Sequence, residues 1–111
     1  MENLSFYRPS SHILSAIESV ALTTWVSETL ELGAKHLVID FQRVLFMDSR
    51  GLGALIIAHN RAQKAGAKLG LCGLSGQARM LMEVSSTDAL FQIYETIEDF
   101  QQEIQPYPKA A

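Results

Sequence analysis

The stretch HLVIDFQRVLFMDSRGLGALII, from His36 to Ile57, constrains this chain most, because its hydrophobic period changes partway along. Leu37, Val38 and Ile39 form a continuous apolar run too short for a typical helix, whereas Leu52, Leu55, Ile56 and His59 recur at the spacing of one helical face. A buried strand over residues 36–40 therefore leads, through a connection over residues 41–47, into a helix expected over residues 50–65 and stopped by Gly66. Asp48 and Ser49 stand immediately before the helical pattern. Either side-chain oxygen can accept from the free amides of the first turn, so one of them is the expected N-cap.

Gly51 and Gly53 are poor helix formers, each costing about 1 kcal/mol against Ala, so packing or the close approach of a partner must justify them. Their lack of bulk is expected to keep the helix entrance low and accessible. A hydroxyl beside the positive end of a helix, with little bulk around it, is a place where a phosphate can be added and carried. Ser49 is the candidate, with a plain N-cap as its bland alternative. The two glycines alone are a weak phosphate signal, lacking the third glycine of a dinucleotide fingerprint and the Lys of a nucleotide-binding loop.

The flanking segments alternate in the same way. Residues 4–8 (LSFYR) have strand-like aromatic content and are ended by Pro9, Ser10 and Ser11, and Ile13 and Leu14 begin a second short strand. Ile17, Val20, Leu22, Trp25, Val26, Thr29 and Leu30 follow helical spacing, with Gly33 as the C-terminal stop. Residues 68–72 read as another buried strand, and Ser75 caps a helix through about Ser85 with Ala78, Leu81 and Met82 inward. Residues 91–94 (FQIY) suggest a last strand. Thr96 followed by Asp99 is a weak capping arrangement before Ile97, Phe100 and Ile104. Strands alternating with helices over so short a chain predict a single α/β domain over residues 1–104, with a mixed, mostly parallel sheet and about four helices. Residues 105–111, with Pro106 and Pro108, read as a frayed tail.

Composition narrows the function. The 111 residues, 48% hydrophobic with a net charge of −3, suit one core and give no electrostatic case for nucleic acid. The longest apolar stretch falls far short of the ~20 residues that cross a bilayer, and Met1 to Ser10 lacks a basic region followed by an apolar one. A soluble, cytoplasmic protein without a membrane partner is expected. Cys72 is alone and reads as a small core residue. His12, His36 and His59 are too scattered for a metal site, and no cofactor is expected. Ser49 has no evident base and no G-x-S-x-G elbow, which disfavours a hydrolase. The acidic pair and late Lys of an aspartate-phosphorylated receiver are not visible.

Residues 44–55, VLFMDSRGLGAL, resemble the signature of the STAS domain, the fold of bacterial anti-sigma factor antagonists: a hydrophobic pair, Asp, Ser, Ser or Thr, Gly, Leu, Gly. GAKHLVIDF (33–41), AGAKLGLCG (65–73) and the segment from Leu81 to Tyr94 resemble later parts of the family in order and spacing, so the likeness covers about residues 30–104. The resemblance implies a regulatory module with no catalysis of its own. The Ser after the Asp, here Ser49, would be phosphorylated by a partner that is both a serine kinase and an anti-sigma factor, and a metal-dependent serine phosphatase would reverse it. Asp48, Ser49, Arg50, Gly51, Leu52 and Gly53 would form the partner-binding turn. Met47 and Leu52, if exposed, would add apolar contact.

Two departures stand out. Arg50 occupies the position usually held by Ser or Thr, and brings a permanent charge able to pair with a phosphate or a partner carboxylate. Ser15 stands where the family often has an Asp that assists kinase docking. Both leave room for a constitutive scaffold or accessory subunit without a phospho-switch, and a small-ligand or lipid-pathway accessory domain is a third class.

Overall fold

A computed structural model describes residues 4–104. The elements in order are β1 (Leu4–Tyr7), β2 (Ile13–Leu14), α1 (Ala16–Glu31), β3 (His36–Asp40), β4 (Phe46–Met47), α2 (Ser49–Lys64), β5 (Lys68–Cys72), α3 (Gly76–Val84), a 3-10 turn (Thr87–Leu90), β6 (Gln92–Tyr94) and α4 (Ile97–Ile104). Four strands pair in the order β1-β3-β5-β6, and β2 pairs separately with β4; every described pairing is parallel. This is the α/β fold with four helices that the alternating pattern predicts. The proposed tail over residues 105–111 lies outside the described residues.

The continuous apolar run of β3 follows from burial on both sheet faces. Successive side chains point to opposite faces, so Leu37 and Ile39 join the larger core with Leu22, Val26, Leu55 and Met82, while Val38 turns the other way onto Phe100. Cys72 is buried beside Val38 and Phe100, as a small core residue should be. Small side chains line the buried face of α2, at Gly51, Ala54, Ala58 and Ala62 around Leu55. They let that helix lie close to its neighbours.

Two local readings change, and a third gains a partner. In α1 the buried face is Ser19, Leu22 and Val26, while Ile17 is 84% and Val20 66% exposed. At ~100° per residue, Val26 stands about 180° around the helix from Ile17, so one stripe cannot hold both. The connection after β3 contains a strand, β4, only two residues long and recognisable only through its pairing with β2. Asp40 ends β3 as expected, but it is buried. Its Oδ2 accepts from Arg8 Nε at 2.8 Å and its Oδ1 accepts from the Gln42 amide at 2.9 Å.

α4 closes the second face through one large side chain. Phe100 is fully buried, sits edge-on to Tyr94, and lies so close over Gly70 that a Cβ there would stand 2.7 Å from its ring. Phe100→Ala is expected to lower stability by about 3–5 kcal/mol, read as a fall in the urea midpoint at unchanged slope.

Candidate functional site

The Asp48 turn is held from two sides before any of its own side chains act. The amides of Leu45 and Phe46 donate to the His12 carbonyl at 2.9 and 3.1 Å, and the Asp48 amide donates to the Leu14 carbonyl at 3.3 Å. On the far side the Met47 amide donates to Gln77 Oε1 at 2.9 Å. The turn into α2 is thereby fixed to the turn into α1 and to the first turn of α3. Gln77 lies 30 residues from Met47, and no local sequence signal marks the contact.

Asp48 is the N-cap. Its Oδ1 accepts from the amides of Arg50 and Gly51 at 3.0 and 3.1 Å, and its Oδ2 pairs with Arg50 Nη2 at 3.0 Å. The Gly51 amide, with the Arg50 guanidinium, holds the carboxyl below the ordinary carboxylate range despite the opposing effect of desolvation. Ser49 is the first helical residue; it is exposed, and its hydroxyl enters no hydrogen bond among the described residues. Of the two candidate caps, Asp48 takes the role and leaves the hydroxyl free.

The two glycines differ. Gly51 is buried, and a Cβ on it would run into the Leu14 carbonyl and stand 2.9 Å from Met47 Cγ, so close backbone packing demands it. Around Gly53 a Cβ would meet nothing within 4 Å. Leu52 is half-buried against the main core. Met47 is 3% exposed, because its strand position points inward under Gly51, so it offers no apolar contact to a partner.

The exposed apolar groups at this end are others. Ile13 and Phe46, paired across the β2–β4 ladder, are each about half exposed, as is Leu45. Beside Arg50, a groove of about 270 Å³ runs between α1 and α2, lined by Ser19, Val20, Thr23, Arg50, Gly53, Ala54 and Ile57. Sequence periodicity put Val20 inside, which hid this groove. Ser15 is the N-cap of α1 but makes no side-chain capping bond. Among the described residues no three His, Cys, Asp or Glu side chains converge as metal ligands, and no helix is long and apolar enough to cross a membrane.

The family model of the STAS domain matches residues 2–100, and the chain belongs to that family. A STAS-domain containing protein of Pseudomonas aeruginosa is 26% identical over 66 residues, 60% of this chain. The match spans 65% of that relative, a little under two thirds of its length. Among solved structures, a candidate anti-sigma factor antagonist of Thermotoga maritima superposes with a TM-score of 0.81 at 16% identity, covering 95% of this chain and 90% of the other. The Bacillus anti-sigma factor antagonist SpoIIAA, unphosphorylated, gives 0.73 at 15% identity over 96% and 94%. A sulfate transporter family protein of Wolinella succinogenes gives 0.67 at 17% identity over 86% and 80%. These identities speak for the fold.

Gly51→Ala is expected to destabilise the chain by about 1–3 kcal/mol, and Gly53→Ala to stabilise it by up to about 1 kcal/mol, in parallel urea titrations. Asp48 titrates lower when folded than when unfolded, where its pKa is about 4, so its stabilisation is complete above that value. It is lost as pH falls through the lower folded pKa. Asp48→Asn keeps a cap but no charge, and is expected to flatten the loss of stability below about pH 4 in acid-dependent melts.

Proposed function

We propose that this chain is a partner-switching regulator of the anti-sigma factor antagonist kind, with Ser49 as its phosphoacceptor. A cognate serine kinase that is also an anti-sigma factor transfers the γ-phosphoryl group of ATP to Ser49 Oγ, with release of ADP and the hydroxyl proton. A serine phosphatase hydrolyses the ester back. The supporting observation is the division of labour at the helix start: Asp48 caps α2, which leaves the exposed Ser49 hydroxyl without a structural task. The chain itself is not the catalyst in this cycle. A cycle that draws on ATP and a kinase partner is expected to run in the cytoplasm.

Docking in the unmodified state uses the turn from Asp48 to Gly53 together with the exposed Ile13 and Phe46. A phosphate on Ser49 adds about −1.5 to −2 charges, tolerated in water beside helix amides but costly against an apolar or acidic partner surface. Modification therefore weakens docking more than folding. Arg50, the undecorated Ser15 and the likeness to a transporter-family domain favour a second reading, a constitutive accessory module of a larger assembly.

Protein purified from its own cells is expected to carry, in at least one growth condition, a phosphatase-sensitive phosphate on Ser49 by intact mass and fragment mapping. Ser49→Glu should then lose at least tenfold in affinity for the partner that Ser49→Ala retains. Unmodified protein in every condition, with Ser49→Glu binding normally, would establish the accessory reading instead.

A further inference from the structure

We propose that Arg50 is the internal counter-ion of phosphorylated Ser49: its guanidinium leaves Asp48 and clasps the phosphate, so that the modified turn neutralises part of its own charge. This rests on the reading of Ser49 as a phosphoacceptor and concerns what the neighbouring residue does once the phosphate is there.

The geometry makes the guanidinium available. Arg50 reaches back along the turn to Asp48, so both neighbours of Ser49 in the chain already meet at 3.0 Å. That ion pair is open to solvent, with the Arg50 side chain 68% and the Asp48 side chain 41% exposed, and such pairs are held weakly. Asp48 does not depend on it. Its other oxygen is anchored by the amides of Arg50 and Gly51, so the cap persists when the guanidinium moves away. A phosphate brings more charge than a carboxylate and three acceptor oxygens, and a guanidinium meets such a group through two parallel hydrogen bonds. The exchange favours the phosphate.

The other charged groups at this end have partners of their own or lie on other segments. His12 Nδ1 donates to the Arg43 carbonyl, Glu18 accepts from Ser10 Oγ, and Arg79 pairs with Glu83; Arg43 sits on the β3–β4 connection. Two groups next to position 49 therefore compete over the phosphate's last proton. Asp48, by repulsion, favours the monoanion, and Arg50, by attraction, favours the dianion. Asp48 stays in place when Arg50 is replaced, so the difference between the Arg50 protein and Arg50→Gln isolates what the guanidinium does to the phosphate.

The experiment uses the full chain with phosphoserine installed at position 49 by recoded translation, so that no kinase is needed. Phosphorus NMR is followed from pH 4 to 9 in the otherwise unchanged protein, in Arg50→Gln and in Arg50→Lys. The phosphoserine of the Arg50 protein is expected to titrate about half a unit lower than in Arg50→Gln, a roughly threefold change in proton affinity, with Arg50→Lys between them. The Arg50 side-chain Nε resonance should move through the same titration. Equal titrations, or a higher value with Arg50 present, would overturn the assignment, as would a stationary Nε resonance. Absence of phosphate on protein from its own cells would defeat the switch itself, and the two failures are told apart because the phosphate here is installed, not acquired.

Discussion

The contact on which the site depends is the approach of the Leu14 carbonyl to Gly51. It brings the turn into α1 and the turn into α2 together with almost no side chain between them, and the Asp48 amide completes the contact by donating to the same carbonyl. Because β2 and β4 are only two residues long, their ladder alone is a small anchor. The glycine lets the backbone of α2 nest beneath β2. From that nesting follow the inward direction of Met47, the outward direction of Phe46 and the exposed position of Ser49. An N-cap can organise a helix start locally, but only this packing decides where the helix start sits on the molecule.

Charge is arranged around the same point. Asp48 satisfies two first-turn amides and sits below the ordinary carboxylate range, so the turn carries a fixed negative charge whether or not Ser49 is modified. A second negative group on the adjacent residue would add to that charge and attract a nearby cation. Arg50 is that cation, and its solvent-exposed pairing leaves it exchangeable. The residue that departs from the usual family pattern thus sits where a phosphate's charge would need an answer.

A second cluster, at the carboxyl ends of the main strands, serves the fold. Arg8 and the Gln42 amide satisfy the buried Asp40 carboxylate, and burial together with Asp40 pushes the Cys72 thiol up to about 12. A thiol that rarely ionises is a poor nucleophile, so this cysteine is inert packing. The cluster ties the end of β1 to β3, next to the crevice edged by Glu95 and Glu98.

Much of this was legible in the sequence because its causes are local. Period changes marked β3, α2 and β5, Gly33 and Gly66 marked helix ends at positive φ, and Thr96 accepts from the Asp99 amide as the capping pattern foretold. The turn residues and family membership were legible for the same reason. What stayed hidden depends on distant partners: β4 exists only opposite β2, Gly51 is required by the Leu14 carbonyl, and the buried Asp40 finds its counter-ion in Arg8. Periodicity could not show that Ile17 and Val20 face out, since apolar spacing says how a helix repeats, not which arc its neighbours cover. The chain by itself therefore determined the elements, their order and the identity of the Asp48–Ser49 turn. Tertiary structure decided that Asp48 rather than Ser49 is the cap and that Phe46 rather than Met47 meets solvent: the Leu14 carbonyl, 37 residues before Gly51, accepts from the Asp48 amide and packs on Gly51, so the turn is held where Met47 points inward and Asp48 faces the first-turn amides.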